Sequence, residues 1–123
     1  MIQEKTWHPV EKEQASFKWR VVSTGIKVKH LSEKSEYIIP WESFSTIHRE
    51  LIAMSQKKNP VLAGISMTNP PAGSLGAWVK SQKLKTSVGN LSPRHLSFLG
   101  PILGRMGLIE RSTKGNSILW RVI

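Results

Sequence analysis

The 123-residue chain contains no cysteine, which excludes a disulfide framework and any thiolate metal site. It contains no aspartate either, and its eight carboxylates are glutamates scattered along the chain. Two-metal nucleases and polymerases need clustered carboxylates, so that class is disfavoured. No apolar run is long enough to span a bilayer, and the opening MIQEKTWHPVEKEQ lacks the apolar core of a signal peptide. The expectation is a soluble intracellular protein, cytoplasmic or nucleoid-associated, with no membrane partner. The four histidines, His8, His30, His48 and His95, show no metal-ligand spacing, so no metal site is expected. Nucleophile motifs, phosphate-cradling glycine loops and cofactor signatures are missing as well. His48-Arg49-Glu50 reads as one turn of a surface helix rather than an acid–base pair. No catalytic residue and no cofactor is assigned, and the chain is read as a non-enzyme.

What the chain does have is positive charge and enough apolar residues for a core. Apolar residues make up 39%, with five tryptophans. The formal charge is +10, and it is segregated. Residues 1–16 hold two lysines and three glutamates, and residues 17–56 hold six basic and four acidic groups. Residues 57–123 hold ten basic residues and a single carboxylate, Glu110. Such lopsided charge favours a polyanion: DNA, RNA or an anionic surface.

Along the chain, residues 1–16 are polar without a clear period and are expected as a loosely held arm, anchored if at all by Trp7. Phe17, Trp19 and Val21 alternate with Lys18 and Arg20. Ile26, Val28 and His30 alternate with Lys27 and Lys29, and Glu36-Tyr37-Ile38-Ile39 forms a third strand. This pattern predicts a three-stranded antiparallel meander with one apolar and one basic face. The basic face reads as a solvated surface that uses lysine to discourage edge pairing. After Pro40, the residues Trp41, Phe44, Ile47, Leu51 and Met54 make a helical stripe, so residues 17–56 form a meander plus helix. Residues 57–73, with Asn59-Pro60 and Asn69-Pro70-Pro71, form a connecting segment in which Val61–Ile65 is a short helix or strand. Ser74 caps a helix over Leu75–Gln82. Lys83–Asn90 then makes a connection longer than a simple helix–helix turn.

Residues 90–123 are the most legible part. Ser92 is a good N-cap and Pro93 suits the first helical position. Leu96, Leu99, Leu103 and Met106 give one apolar face, and Gly107 stops the helix. Leu108–Arg111 and Ile118–Val122 are strand-like, with turn chemistry in Thr113-Lys114-Gly115-Asn116. Helix, Gly-Leu-Ile, charged strand, basic turn, returning strand: over about the last fifty residues this resembles the recognition helix and wing of a winged helix-turn-helix domain. Leu96-Ser97 stands where that family has a hydroxyl-flanked aliphatic residue, and Leu103 and Gly107-Leu108-Ile109 follow at its usual offsets. Two features depart from the family. Gly100-Pro101 lies inside the helix, where proline loses a hydrogen bond and clashes with the preceding turn. The connection before the helix is also long. The implied fold class is α+β, an N-terminal three-stranded meander plus helix followed by a winged helix in residues 74–123.

The resemblance implies duplex DNA as the partner, with the protein a transcriptional regulator or an accessory DNA factor. A helix must then enter the major groove while flanking cations hold phosphates. With Leu96, Leu99, Leu103 and Met106 buried, Arg94, His95, Ser97, Phe98, Pro101 and Arg105 fall on or beside the exposed face, Phe98 fitting either a thymine methyl or, at least as well, the core. Arg94 suits a bidentate contact to guanine, and His95 and Ser97 suit bases or phosphates. In the wing, Arg111, Lys114, Asn116 and Arg121 surround the hairpin tip, with Lys114 the best minor-groove or phosphate candidate. Lys80, Lys83 and Lys85 complete a phosphate-contacting rim. RNA is the weaker alternative, because the basic sheet face lacks an exposed aromatic pair for stacking. The other alternative is a protein–protein interaction module on the same fold, since winged helices serve both ends. A homodimer is compatible with either.

Overall fold

A computed structural model of the chain describes residues 8–11, 16–30, 36–65 and 69–123, the first five of these by backbone alone. Trp7 and the expected turn Ser32–Ser35 lie outside the described residues. The fold is mixed α+β, and its contacts divide it into two compact units. One contains the described residues of Met1–Ser45 with Lys85–Gly89; the other contains those of Thr46–Leu84 with Asn90–Ile123.

In the first unit, period-two alternation produces the sheet that it predicts. Strands β2 (Ser16–Val22), β3 (Gly25–His30) and β4 (Glu36–Pro40) form an antiparallel meander. A fourth strand, β1 (His8–Glu11), extends the expected three by pairing His8 with Trp19 through to Glu11 with Ser16. Phe17, Trp19, Ile26, Val28 and Ile39 are fully buried on one face. Tyr37 stands opposite Val28 on that face, and burial pushes its phenol well above the ordinary tyrosine range. Lys18, Arg20, Lys27 and Lys29 occupy the other face, half-buried. Register sets Lys18 directly across from Lys29 and Arg20 across from Lys27. Glu36 offsets part of this charge through a 3.7 Å ion pair with Lys27.

Helix α1 (Trp41–Lys57) starts directly after β4. Its first residue is tied down twice, the Trp41 amide donating to the Thr24 carbonyl (3.2 Å) and the indole N–H to the Ser23 carbonyl (3.1 Å). The long connection after residue 83 is itself a small hairpin, β6 (Lys85–Thr86) and β7 (Gly89–Asn90). Ser87 fastens this hairpin to β4. Its amide donates to the Ile38 carbonyl (2.9 Å), and the Ile38 amide donates to Ser87 Oγ (2.8 Å).

The second unit takes in the remainder of α1, then β5 (Val61–Leu62), α2 (Leu75–Gln82), a 3₁₀ turn over Pro93–His95, α3 (Leu96–Arg105), β8 (Ile109–Lys114) and β9 (Ser117–Val122). Its three strands lie in the order β5-β9-β8, all antiparallel. Val61–Ile65 thus begins as a strand. That strand is only two residues long, so other groups hold it. The Asn59 side chain acts as an extra rung, accepting from the Val122 amide (3.0 Å) and donating to the Val122 carbonyl (3.2 Å). Beyond it, the Ala63 amide donates to the Ile118 carbonyl (3.0 Å).

Helix α2 begins at Ser74, whose Oγ accepts from the Ala77 amide (3.1 Å) as a capping residue should. This helix start presses on the chain after β5. The Gly76 amide donates to the Ala63 carbonyl (2.7 Å), and a Cβ on Gly76 would run into the Gly64 carbonyl. Helix α3 continues through Gly100-Pro101. There is no break at the proline, and Leu96, Phe98, Leu99, Gly100, Pro101, Ile102 and Leu103 are all buried. Gly100 is where the helix meets the sheet. A Cβ there would stand 3.0 Å from the Trp120 ring, so a larger residue would push the indole back by a few tenths of an ångström. Gly107, at φ 77°, ends the helix as its sequence position predicts.

Candidate nucleic-acid interface

Burial of α3 decides how much of it can face a partner. Phe98 and Pro101, expected on or beside the exposed face, are both buried. Met106, expected to be buried, is half-buried. The physical reason lies in the composition LSFLGPIL, which is apolar nearly all the way round; such a helix buries most of its circumference rather than one stripe. What remains is a strip in two parts. Arg94 (exposed), His95 and Ser97 (half-buried) stand at the start of the helix, and Gly104 and Arg105 stand at its end, with buried Pro101 between them.

The residues at the start are already engaged in building the helix. The Ser92 amide donates to His95 Nδ1 (2.9 Å), and Ser97 Oγ donates to the Arg94 carbonyl (2.7 Å). With Nδ1 accepting, the proton of a neutral His95 ring sits on Nε2. The Arg94 side chain is exposed.

Strand pleat then sorts the wing residues. Cross-strand partners share a face, and neighbours along a strand alternate. Arg111 stands opposite Trp120, on the face that packs against α3. Its side chain passes the small residues of the helix, the Cδ lying 3.3 Å from where a Gly100 Cβ would be and Nε 3.5 Å from the same point on Gly104. Arg111 therefore joins the Gly104–Arg105 end of the strip. Lys114 pairs with Ser117, and Arg121 with Glu110, both on the opposite face of the sheet. Asn116 is exposed at the tip.

The other expected contacts are dispersed. Lys80 is exposed in the last turn of α2, and Lys83 closes that helix in the left-handed conformation (φ 54°). Lys85 belongs to the hairpin of the first unit, where its carbonyl accepts from Ser43 Oγ (2.8 Å). Apart from Asn116 and the three dispersed lysines, the candidate residues thus fall into three groups: Arg94, His95 and Ser97; Arg105 and Arg111; and Lys114 with Arg121 on the far side of the terminal sheet.

Lys114 has company that its position in the sequence does not reveal. It borders a groove of about 540 Å³ together with Lys57 and Lys58, over a floor that includes Met54, Leu62 and Leu119. Lys57 and Lys58 look in the sequence like the solvated end of a helix, where cations are favourable anyway. The only hint is that a doubled lysine directly precedes Asn59, a breaker that turns out to anchor the sheet.

Among the described residues, no group of three or more His, Asp or Glu side chains is placed to hold a metal ion. No helix there is long and apolar enough to cross a membrane. No protein-family model matches the chain, and neither the curated proteins nor the solved structures offer a significant match.

Proposed function

We propose that the second unit is a winged helix that binds duplex DNA, chiefly through phosphates, as an accessory DNA factor or a transcriptional regulator. The observation that carries this reading is the coincidence of topology and charge. The order α1, β5, α2, α3, β8 and β9 contains the helix and closing hairpin on which the resemblance rests, with β5 paired beside β9. The same unit holds ten lysines and arginines against Glu50 and Glu110.

The burial of α3 refines the reading. Base reading in the major groove is done by hydrogen bonds and apolar contacts to base edges, whereas phosphate binding needs cations at suitable intervals. Arg94 at one end of the strip and Arg105 with Arg111 at the other suit two stretches of phosphate backbone, with small Ser97 and Gly104 beside them. Low sequence specificity follows from this arrangement.

Fluorescence anisotropy with unrelated duplexes across a salt gradient tests it. Affinity is expected to differ little among sequences and to fall steeply with salt, each phosphate-bound cation contributing about one unit to the log–log slope. Arg94→Ala and Arg105→Ala should each flatten that slope by roughly one unit. A flat salt response overturns the reading. Tighter binding of hairpin RNA than duplex at equal salt redirects it to RNA.

A further inference from the structure

The groove beside Lys114 is separate from the α3 strip by the geometry of the sheet. Leu119 and Ser117 line it, and both belong to the face of β9 opposite Trp120. Leu62, registered across from Leu119, extends the same face on β5. Met54 joins them from α1, whose end brings Lys57 and Lys58 to the groove with Lys114. The two kinds of lining are distinct. The floor is aliphatic and thioether, and among the described residues no carboxylate lines the groove. The helix end contributes a partial negative charge of about half a unit, which three ammonium groups outweigh.

We infer that this groove binds a small amphiphilic anion, an apolar body carrying one carboxylate-like head, with the head held among Lys57, Lys58 and Lys114 and the body laid on Met54, Leu62 and Leu119. Its volume falls within the range of roughly 300–1,000 Å³ common to small-molecule sites, which combine an apolar lining with a few polar anchors. A nucleic-acid backbone matches the rim alone. It has no apolar surface with which to cover the floor, so it leaves that surface wet and forgoes the burial that favours binding. An uncharged apolar ligand matches the floor alone. Only a molecule with both parts uses all six side chains. This inference is independent of the DNA-binding proposal.

Isothermal titration calorimetry of the full chain with three probes tests it: decanoate, decyltrimethylammonium with the same tail and opposite charge, and inorganic phosphate with charge and no tail. Decanoate, below its micelle concentration, is expected to bind saturably at one molecule per chain, and the other two much more weakly. The exposed rim allows substitution without disturbing the core. Lys58→Gln with Lys114→Gln should weaken decanoate about tenfold or more, as expected for losing charged hydrogen-bond partners. Ala72→Trp, at an exposed position on the lining, should abolish binding by filling the space. Arg94→Ala should leave decanoate unaffected whatever it does to DNA. Equal binding of decyltrimethylammonium or of phosphate overturns the inference. So does an absence of decanoate binding, or unchanged affinity in both the double lysine variant and Ala72→Trp.

Discussion

The two units solve the same problem, burying an indole among aliphatic side chains, by opposite routes. In the first unit each strand of the sheet pairs with its neighbour in sequence, β1 with β2, β2 with β3, β3 with β4. In the second, the closing pair joins Val61 to Trp120, and the Asn59 clamp reaches across 63 residues to Val122. Local pairing carries little loop-closure cost, whereas distant pairing must recover it from contacts made late. Their charges differ likewise. The first unit stacks cations directly opposite one another on one sheet face. The second sets most of them at helix ends and strand tips, exposed to solvent.

The strongest way to probe this contrast is to remove the two indoles. Trp19 and Trp120 are 0% and 1% exposed. Trp19→Ala and Trp120→Ala should each cost roughly 3–5 kcal/mol in urea denaturation, the usual range for a core tryptophan. A loss under about 1 kcal/mol for either would break the symmetry between the cores.

Next in size are the side-chain clamps. Asn59→Ala leaves both backbone groups of Val122 without their partner and should cost about 1–2 kcal/mol, with the β5 end of the terminal sheet losing amide-exchange protection first. Ser87→Ala removes only the bond from the Ile38 amide and should cost about 1 kcal/mol. If the Ser87 variant proves the more damaging, the distant clamp matters less than the local one and the contrast is reversed.

The smallest effect should also be of opposite sign. Lys18→Glu turns the like-charge pair with Lys29 into an attractive one, and a stabilisation of about 0.2–1 kcal/mol is expected at low salt, shrinking as salt is added. No gain at low salt would mean that solvent already screens the stacked cations.

Legibility follows the same division. The meander, α1, α2 and the terminal hairpin announce themselves through local period and capping chemistry: Phe17-Lys18-Trp19-Arg20, the stripe from Trp41 to Met54, Ser74, and Gly107. Strand β5 does not, because two residues cannot show a period and their strand character comes from Trp120 and Leu119 far along the chain. The fourth strand of the first sheet hides for a related reason, since His8-Pro9-Val10-Glu11 has no apolar alternation and is defined by its partner β2. On α3 the structure differs from the sequence expectation at Pro101, which is buried, and it settles Phe98 in the core. A regular spacing of leucines identifies one buried face, but it says nothing about whether the opposite face is also covered. Lys57 and Lys58 acquire a candidate role only when β9 folds back beside α1.

The paired bonds between Ser87 and Ile38 have a consequence for life at high concentration. A terminal strand of an antiparallel sheet ordinarily leaves a row of peptide groups open to any passing chain, an invitation to grow by accretion. Here the outward-turned peptide groups of Ile38, in the middle of β4, are already spoken for by a two-stranded flap from the same molecule. That stretch of the margin is closed from within, and a stray strand that arrives at Ile38 finds its rung already taken.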